Sequence, residues 1–201
     1  GCSGTPESFT ITVNKAPTVN AGVDDEICET ENFNLSGAFG GGASSAQWSG
    51  GLGTYNPNDQ DMSAIYTPTP AEIAAGTVVF TLTTDDPAGV CSSVSDNVTL
   101  TINPGVIVNA GVDDVICSNS TYTMSGSIGG SANTAQWTTA GDGVFDNITN
   151  LNAIYTPGPN DIISGNVLIT LSTDDPVGPC FASTDDMILS FSNAASVSAS
   201  G

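Results

Sequence analysis

The chain repeats itself at a shift of 89 residues, so whatever it folds into must be built twice. VNAGVDDEIC at 19–28 returns as VNAGVDDVIC at 108–117, and AQW ending at Trp48 returns ending at Trp137. AIYTP from Ala64 recurs from Ala153, and TDDPAGVC ending at Cys91 becomes TDDPVGPC ending at Cys180. The register slips once, where GTY at Gly53 corresponds to GVF at Gly143; an indel in a polar stretch is surface-loop behaviour. The same shift aligns GCSGTPESFTITVN with GVCSSVSDNVTLTIN, the last strand of a repeat, and SVSASG with VIVNAG, the opening of one. The expected organisation is the final strand of a truncated repeat at 1–15, repeats at 16–104 and 105–193, and the start of another at 194–201. Such a chain reads as a window on a longer tandem array.

Within each repeat the apolar period is two. Strands are expected near 18–28, 33–37, 47–48, 64–67, 77–83 and 96–103, separated by Gly, Pro and Asp turns. Only residues 70–76 offer a helical turn, closing at Gly76; the second copy has IISG there and WTTAGDGVF upstream, so a loop of different shape is expected. About seven short strands around one central tryptophan fit an all-β fold of tandem immunoglobulin-like β-sandwiches, with Trp48 and Trp137 as core anchors between the sheets. The leading segment alternates Phe9, Ile11 and Val13 with polar residues, so one face should be buried, as a displaced last strand. The linkers at 14–17 and 103–106 are short and contain Pro, which predicts sandwiches lying nearly end to end.

Charge narrows the function. The chain carries 21 acidic residues against Lys15 alone, with no histidine, for a net charge of −20. Nucleic acid is excluded as a partner, because phosphate binding needs a basic footprint. Without His there is no Ser-His or Cys-His couple, and zinc loses its usual nitrogen ligand. At 39% hydrophobic the chain is too apolar for disorder, and no apolar run is long enough to insert in a membrane.

AGVDDEIC, NLSG, QWSGGLGTYNP, AIYTPTPAEIAAGTVVFTLTTDDPAGVC and SDNVTLTIN together resemble the Ig-like/PKD-like repeats of giant Bacteroidota surface proteins. Those include the large adhesins of the gliding-motility kind, exported by type IX secretion. The resemblance spans the chain twice and implies a rod of sandwiches displayed on the cell surface, its neighbours being repeats of the same protein.

Cys28 and Cys91 lie 63 positions apart, as do Cys117 and Cys180, which favours one disulfide inside each repeat, with Cys2 pairing elsewhere. The rival pairing is Cys2–Cys28 and Cys91–Cys117. Either one argues for an oxidising, extracellular setting. Acidic pairs recur at Asp24-Asp25, Asp85-Asp86, Asp113-Asp114 and Asp174-Asp175. DDPxG reads as a turn. Alternatively, the start of the first strand and the loop before the last strand share a pole, where Asp24, Asp25, Asp85 and Asp86, and their copies, could converge on calcium.

No enzyme is expected, because acids that repeat with a module behave as structural features. The expected function is a structural stalk module of a cell-surface adhesin or extracellular filament. One alternative is a carbohydrate-binding array, contacting surface polysaccharide or other cells, with Tyr55 or Phe145 stacking on sugars. A second is a filament subunit in which the leading strand completes a neighbour's sheet.

Overall fold

A computed structural model describes residues 4, 7–87 and 89–192. The chain divides into two compact units. The first runs to Ile27 and resumes over Glu31–Ile102; the second takes Cys28–Thr30 and continues from Asn103. Each contains one apolar core.

In the first unit the strands are β1 (Thr18–Asn20), β2 (Asp25–Cys28), β3 (Phe33–Asn34), β4 (Ala38–Gly40), β5 (Ala46–Ser49), β6 (Thr54–Asn56), β7 (Ile65–Thr67), β8 (Thr77–Thr84) and β9 (Ser95–Asn103), with helix α1 (Pro70–Ala75) before β8. One sheet has the order β2-β9-β8-β5. The opposing layer is formed by β1 on β4 and by β3-β7-β6. Leu35 and Gly37, between β3 and β4, donate to the carbonyls of Ala64 and Met62, which extends the β3 pairing along β7's edge. These are the two sheets of an immunoglobulin-type sandwich, with its first strand divided between them.

The second unit repeats this order: β10 (Val106–Asn109), β11 (Asp114–Cys117), β12 (Tyr122–Thr123), β13 (Ser127–Gly130), β14 (Ala135–Thr139), β15 (Val144–Phe145), β16 (Ile154–Thr156), α2 (Pro159–Ser164), β17 (Asn166–Thr173) and β18 (Thr184–Ser192). Here β11 runs parallel to β18, with Cys117 opposite Ser192.

Alternation in β8 turns Val78, Phe80, Leu82 and Thr84 inward, against Val98, Leu100 and Ile102 of β9. Trp48 and Trp137 are each 1% exposed and centre the two cores. Both indoles need a glycine across the core. A Cβ on Gly37 would lie 2.6 Å from Trp48 Cζ2, and one on Gly126 2.6 Å from Trp137 Cζ2. Around this shared anchor the packing is not copied: Phe33 stacks on Phe80 at 5.8 Å, whereas the second unit has Tyr122 and Ile169.

Two expectations are corrected. The leading segment forms no strand over the described residues, and Phe9, Ile11 and Val13 are 85, 74 and 87% exposed. The strand it resembles is already present in the first unit as β9, so that sheet has no vacant place for it. The helical turn, in contrast, is kept in the second copy despite the altered sequence.

The tryptophans differ in one respect. Trp137 Nε1 donates to the Asn150 carbonyl at 3.0 Å, whereas the buried Trp48 Nε1 has no partner among the described residues. Replacement by Phe opens a similar void in each core, but only W137F breaks a hydrogen bond, whereas W48F removes a buried N–H that has no partner among the described residues. W137F should therefore destabilise its unit by about 1 kcal/mol more than W48F does, measured by calorimetric unfolding of the two variants.

Candidate functional site

The longest exactly repeated motif, VNAGVDD, is where the first strand changes sheets. β1 belongs to one layer and β2 to the other, so the chain must cross between them at 21–24. Asn20 Oδ1 accepts from Gly22 N at 2.7 Å, an Asx turn, with Gly22 at φ 96°. Ala21, the residue at the crossing, is 1% exposed, and its N–H donates to Asp96 Oδ2 at 2.9 Å. Asp24 Oδ1 accepts from Thr99 N at 2.8 Å. Two carboxylates, one on each partner, thus close the gap in the ladder that the crossover opens. The second unit reproduces the device: Ala110 N donates to Asp185 Oδ2 at 2.8 Å, and Ile188 N to Asp113 Oδ1 at 2.8 Å. Asp96 and Asp185 were outside the candidate set. Their signal was the DNV and DDM opening of the last strand, recurring at the same shift.

The other acidic pairs have comparable duties. Asp85 accepts from the amides of Ser44 and Ser45 and from Ser44 Oγ; Asp174 accepts from the amides of Asn133 and Thr134. The Ser44 hydroxyl first, then these amides, hold the Asp85 carboxyl below its usual range; for Asp174 the Thr134 amide leads. Asp175 accepts from Ala182 N, Asp25 from Glu26 N and Asp114 from Val115 N, while Asp86 is exposed. The expected calcium cluster of Asp24, Asp25, Asp85 and Asp86 is not brought together. Among the described residues no group of three or more carboxylates and cysteines is placed to hold a metal. The reason lies in the crossover: Asp24 follows it and bonds Thr99 of β9, whereas Asp85 reaches back to the loop before β5.

A buried carboxylate anchors each helix. Glu72 is 7% exposed; Oε1 accepts from Tyr66 Oη at 2.6 Å and Leu52 N at 2.7 Å, and Oε2 from Thr69 N and Thr69 Oγ1 at 2.8 Å. Thr69 closes a capping box, and Gly76 caps the other end. In the second unit Gly158 replaces the threonine and has no side chain to cap with. Asp142, in the segment that is one residue longer there, supplies the acceptor for Asn160 N and Asp161 N at 3.1 and 3.2 Å. Asp161 in turn accepts from Tyr155 Oη at 2.7 Å, Gly158 N at 2.9 Å and Asp142 N at 3.1 Å. The two departures from the first copy therefore compensate each other.

Burial pushes the Glu72 and Asp161 carboxyls up, but the hydrogen bonds from tyrosine and backbone outweigh it and hold both below their ordinary values. Tyr155, buried against Asp161, is pushed up to about 12. A general acid needs the opposite shift. Because the folded-state value is depressed, the stability contributed by Glu72 is complete above its ordinary value of 4.5 and is lost as pH falls through the lowered one. Glu72→Gln should cost the first unit about 2 kcal/mol at neutral pH and flatten its acid limb, read from melting curves across that range.

The cysteines depart from both expected pairings. The disulfide joins Cys28 to Cys180, 152 positions apart, within the second compact unit. Among the described residues Cys91 and Cys117 are thiols, Cys117 exposed; Cys2 lies outside the described residues. Pairing within a repeat fails on strand direction. Cys28 ends β2, and the next residue's amide donates to the carbonyl of Asn103, the last residue of β9. Cys91 precedes the first residue of β9. The nine residues of strand between the two places span roughly 30 Å, against Cα separations of about 4–7 Å in disulfides.

The rings expected to stack on sugars belong to the cores. Tyr55 packs edge-on to Tyr66 at 5.0 Å and donates to the Gly50 carbonyl; Phe145 stacks on Trp137 at 6.2 Å.

Solved structures share this architecture. The insect immune protein hemolin matches with a TM-score of 0.55, 11% identity, and coverage of 94% of this chain and 49% of that one. Sidekick-1 immunoglobulin domains 1–4 match at 0.52 and 12%, covering 92% and 51%; domains 1–5 match at 0.51 and 11%, covering 90% and 40%. The chain is a tandem pair of immunoglobulin-like domains. It spans about half the length of the solved chains or less, and at these identities the likeness is one of fold. No protein-family model and no curated protein matches the sequence.

The crossover locks make a quantitative claim. Asp96→Ala leaves the buried Ala21 amide without its acceptor and should cost about 1.5–3 kcal/mol; Asp24→Ala, at an exposed bond, should cost less. Denaturant unfolding of the two variants ranks them. Melting curves with calcium and with a chelator should superimpose.

Proposed function

We propose that this chain is a load-bearing stalk segment of an extracellular, cell-surface adhesin array, of the kind its motifs resemble in Bacteroidota surface proteins, and that it catalyses no reaction. The observation that carries the reading is the Cys28–Cys180 disulfide. Tension applied along the chain enters at Cys28 and leaves at Cys180 through the sulfur bridge, and everything between is shielded. The shielded loop contains β3 through β17, most of both sandwiches. Chain-entropy arguments give a loop of this length about 5 kcal/mol, but the mechanical effect is larger in kind, because the loop cannot extend at all while the bridge stands.

The acidic groups support the same reading. With a single cation available, the carboxylates satisfy backbone amides and hydroxyls, and the buried ones sit below their ordinary pKa, as fasteners do. Tyr55 and Phe145, the rings expected to stack on sugars, pack against the two cores. The hemolin structure is described with implications for homophilic adhesion. For this chain, contact between cells belongs to the array as a whole, and these two domains hold the contacting region at a distance.

Force spectroscopy tests the stalk reading. Adding reductant should release roughly 500 Å of contour, at about 3.4 Å for each shielded residue. Equal contour lengths with and without reductant would overturn it.

A further inference from the structure

The 89-residue shift sorts the five cysteines into two kinds. Cys28 and Cys117 end the second half of the divided first strand; Cys91 and Cys180 are equivalent positions ahead of the last strand, and Cys2 aligns with them in sequence. The observed bridge joins one of each kind, from successive repeats. Pairing inside a repeat is barred by strand direction, as shown above, so each repeat carries two half-sites. One is a strand end that reaches out; the other is a loop that receives it. The receiving half of the second unit is filled, because Cys28–Thr30 belongs to that unit. Among the described residues two half-sites remain as thiols: Cys91, a receiving loop, and Cys117, a reaching strand end.

We propose that Cys117 of one copy of this chain forms a disulfide with Cys91 of a second copy, reproducing the Cys28–Cys180 bridge and joining copies head to tail. The partner is fixed by complementarity. A second copy offers a receiving loop closely similar to the one already engaged, TDDPAGVC against TDDPVGPC, and a reaching end DVIC closely similar to the engaged DEIC. Both thiols are reachable: Cys117 is exposed, and Cys91 is partly so beside Val90, which is 94% exposed. The contact is heterologous and leaves one thiol of each kind at the ends, so it propagates instead of closing as a dimer.

Chemically, the Cys117 and Cys91 thiols lose two protons and two electrons as the sulfur–sulfur bond forms. A disulfide oxidant such as oxidised glutathione accepts both and leaves as two thiols, the exchange passing through a mixed disulfide. The reaction does not depend on the stalk reading, and its readout is separate from contour length.

The test uses two variants of the full chain, each carrying C2S to remove the third receiving cysteine. C2S/C91S presents Cys117 alone, and C2S/C117S presents Cys91 alone. They are mixed under oxidised glutathione at on the order of 1 mM protein, the effective concentration a short linker provides. The expected product is a heterodimer carrying a Cys91–Cys117 peptide by mass spectrometry, with Cys28–Cys180 intact. It should exceed the two homodimers together by on the order of tenfold, the advantage that a docked geometry confers over random collision. The C2S chain, retaining both thiols, should give an open ladder on a non-reducing gel, and C2S/C91S/C117S should stay monomeric. Absence of the heterodimer, homodimers in statistical proportion, or exchange of the Cys28–Cys180 bridge would each overturn the proposal.

Discussion

Carboxylate-to-amide hydrogen bonds hold this structure where its backbone leaves regular pairing. A chain with 21 acids and one lysine cannot neutralise its carboxylates with cations. The available donors are backbone N–H groups and hydroxyls. An N–H exposed by a strand crossover or a helix start needs an acceptor, and a charge-assisted bond is stronger than a neutral one. The crossover at Ala21 and the helix at Pro70 both use this pairing, and so do their counterparts at Ala110 and Pro159. Excess negative charge, which would repel if left in solvent, is turned into local order.

The two units show how much sequence can change while such a bond is kept. Thr69 caps α1 from the residue before the helix; in α2 the cap comes from Asp142, on a different loop. Glu72 and Asp161 differ by one methylene, yet both receive a tyrosine hydroxyl and two backbone amides. The conserved quantity is an acceptor at a given place, not a side chain at a given number. The cores behave likewise, with Trp and its facing glycine retained while the surrounding aromatic and aliphatic residues exchange.

The disulfide follows from chain direction. A sandwich has two poles, and a strand of nine residues separates them. Cys28 lies at the pole where the repeat's last strand ends, and the receiving loop lies where that strand begins. A cysteine of one kind can therefore meet the other kind only in a different repeat. The Cys28–Cys180 bridge accordingly joins cysteines that come from two different repeats.

Alternation in β8 and β9, the central tryptophan, the Gly-capped helical turn and the duplication were legible in the residues, because each rests on local period or on chemistry that acts within a few positions. The all-β sandwich followed from them. Three things were settled only by tertiary structure. The acid pairs look alike in sequence, yet Asp24 answers Thr99, 75 positions away, and Asp85 answers Ser44, because the partner of an acceptor depends on which strand folds beside it. The Phe9, Ile11 and Val13 alternation satisfies the rule for a strand but has no place in the first unit, since β9 fills that position. The cysteine spacing of 63 gives contour length without direction, and direction decides which sulfurs can meet. Local pattern thus determined what the elements are; the course of the chain through two sheets determined what they touch.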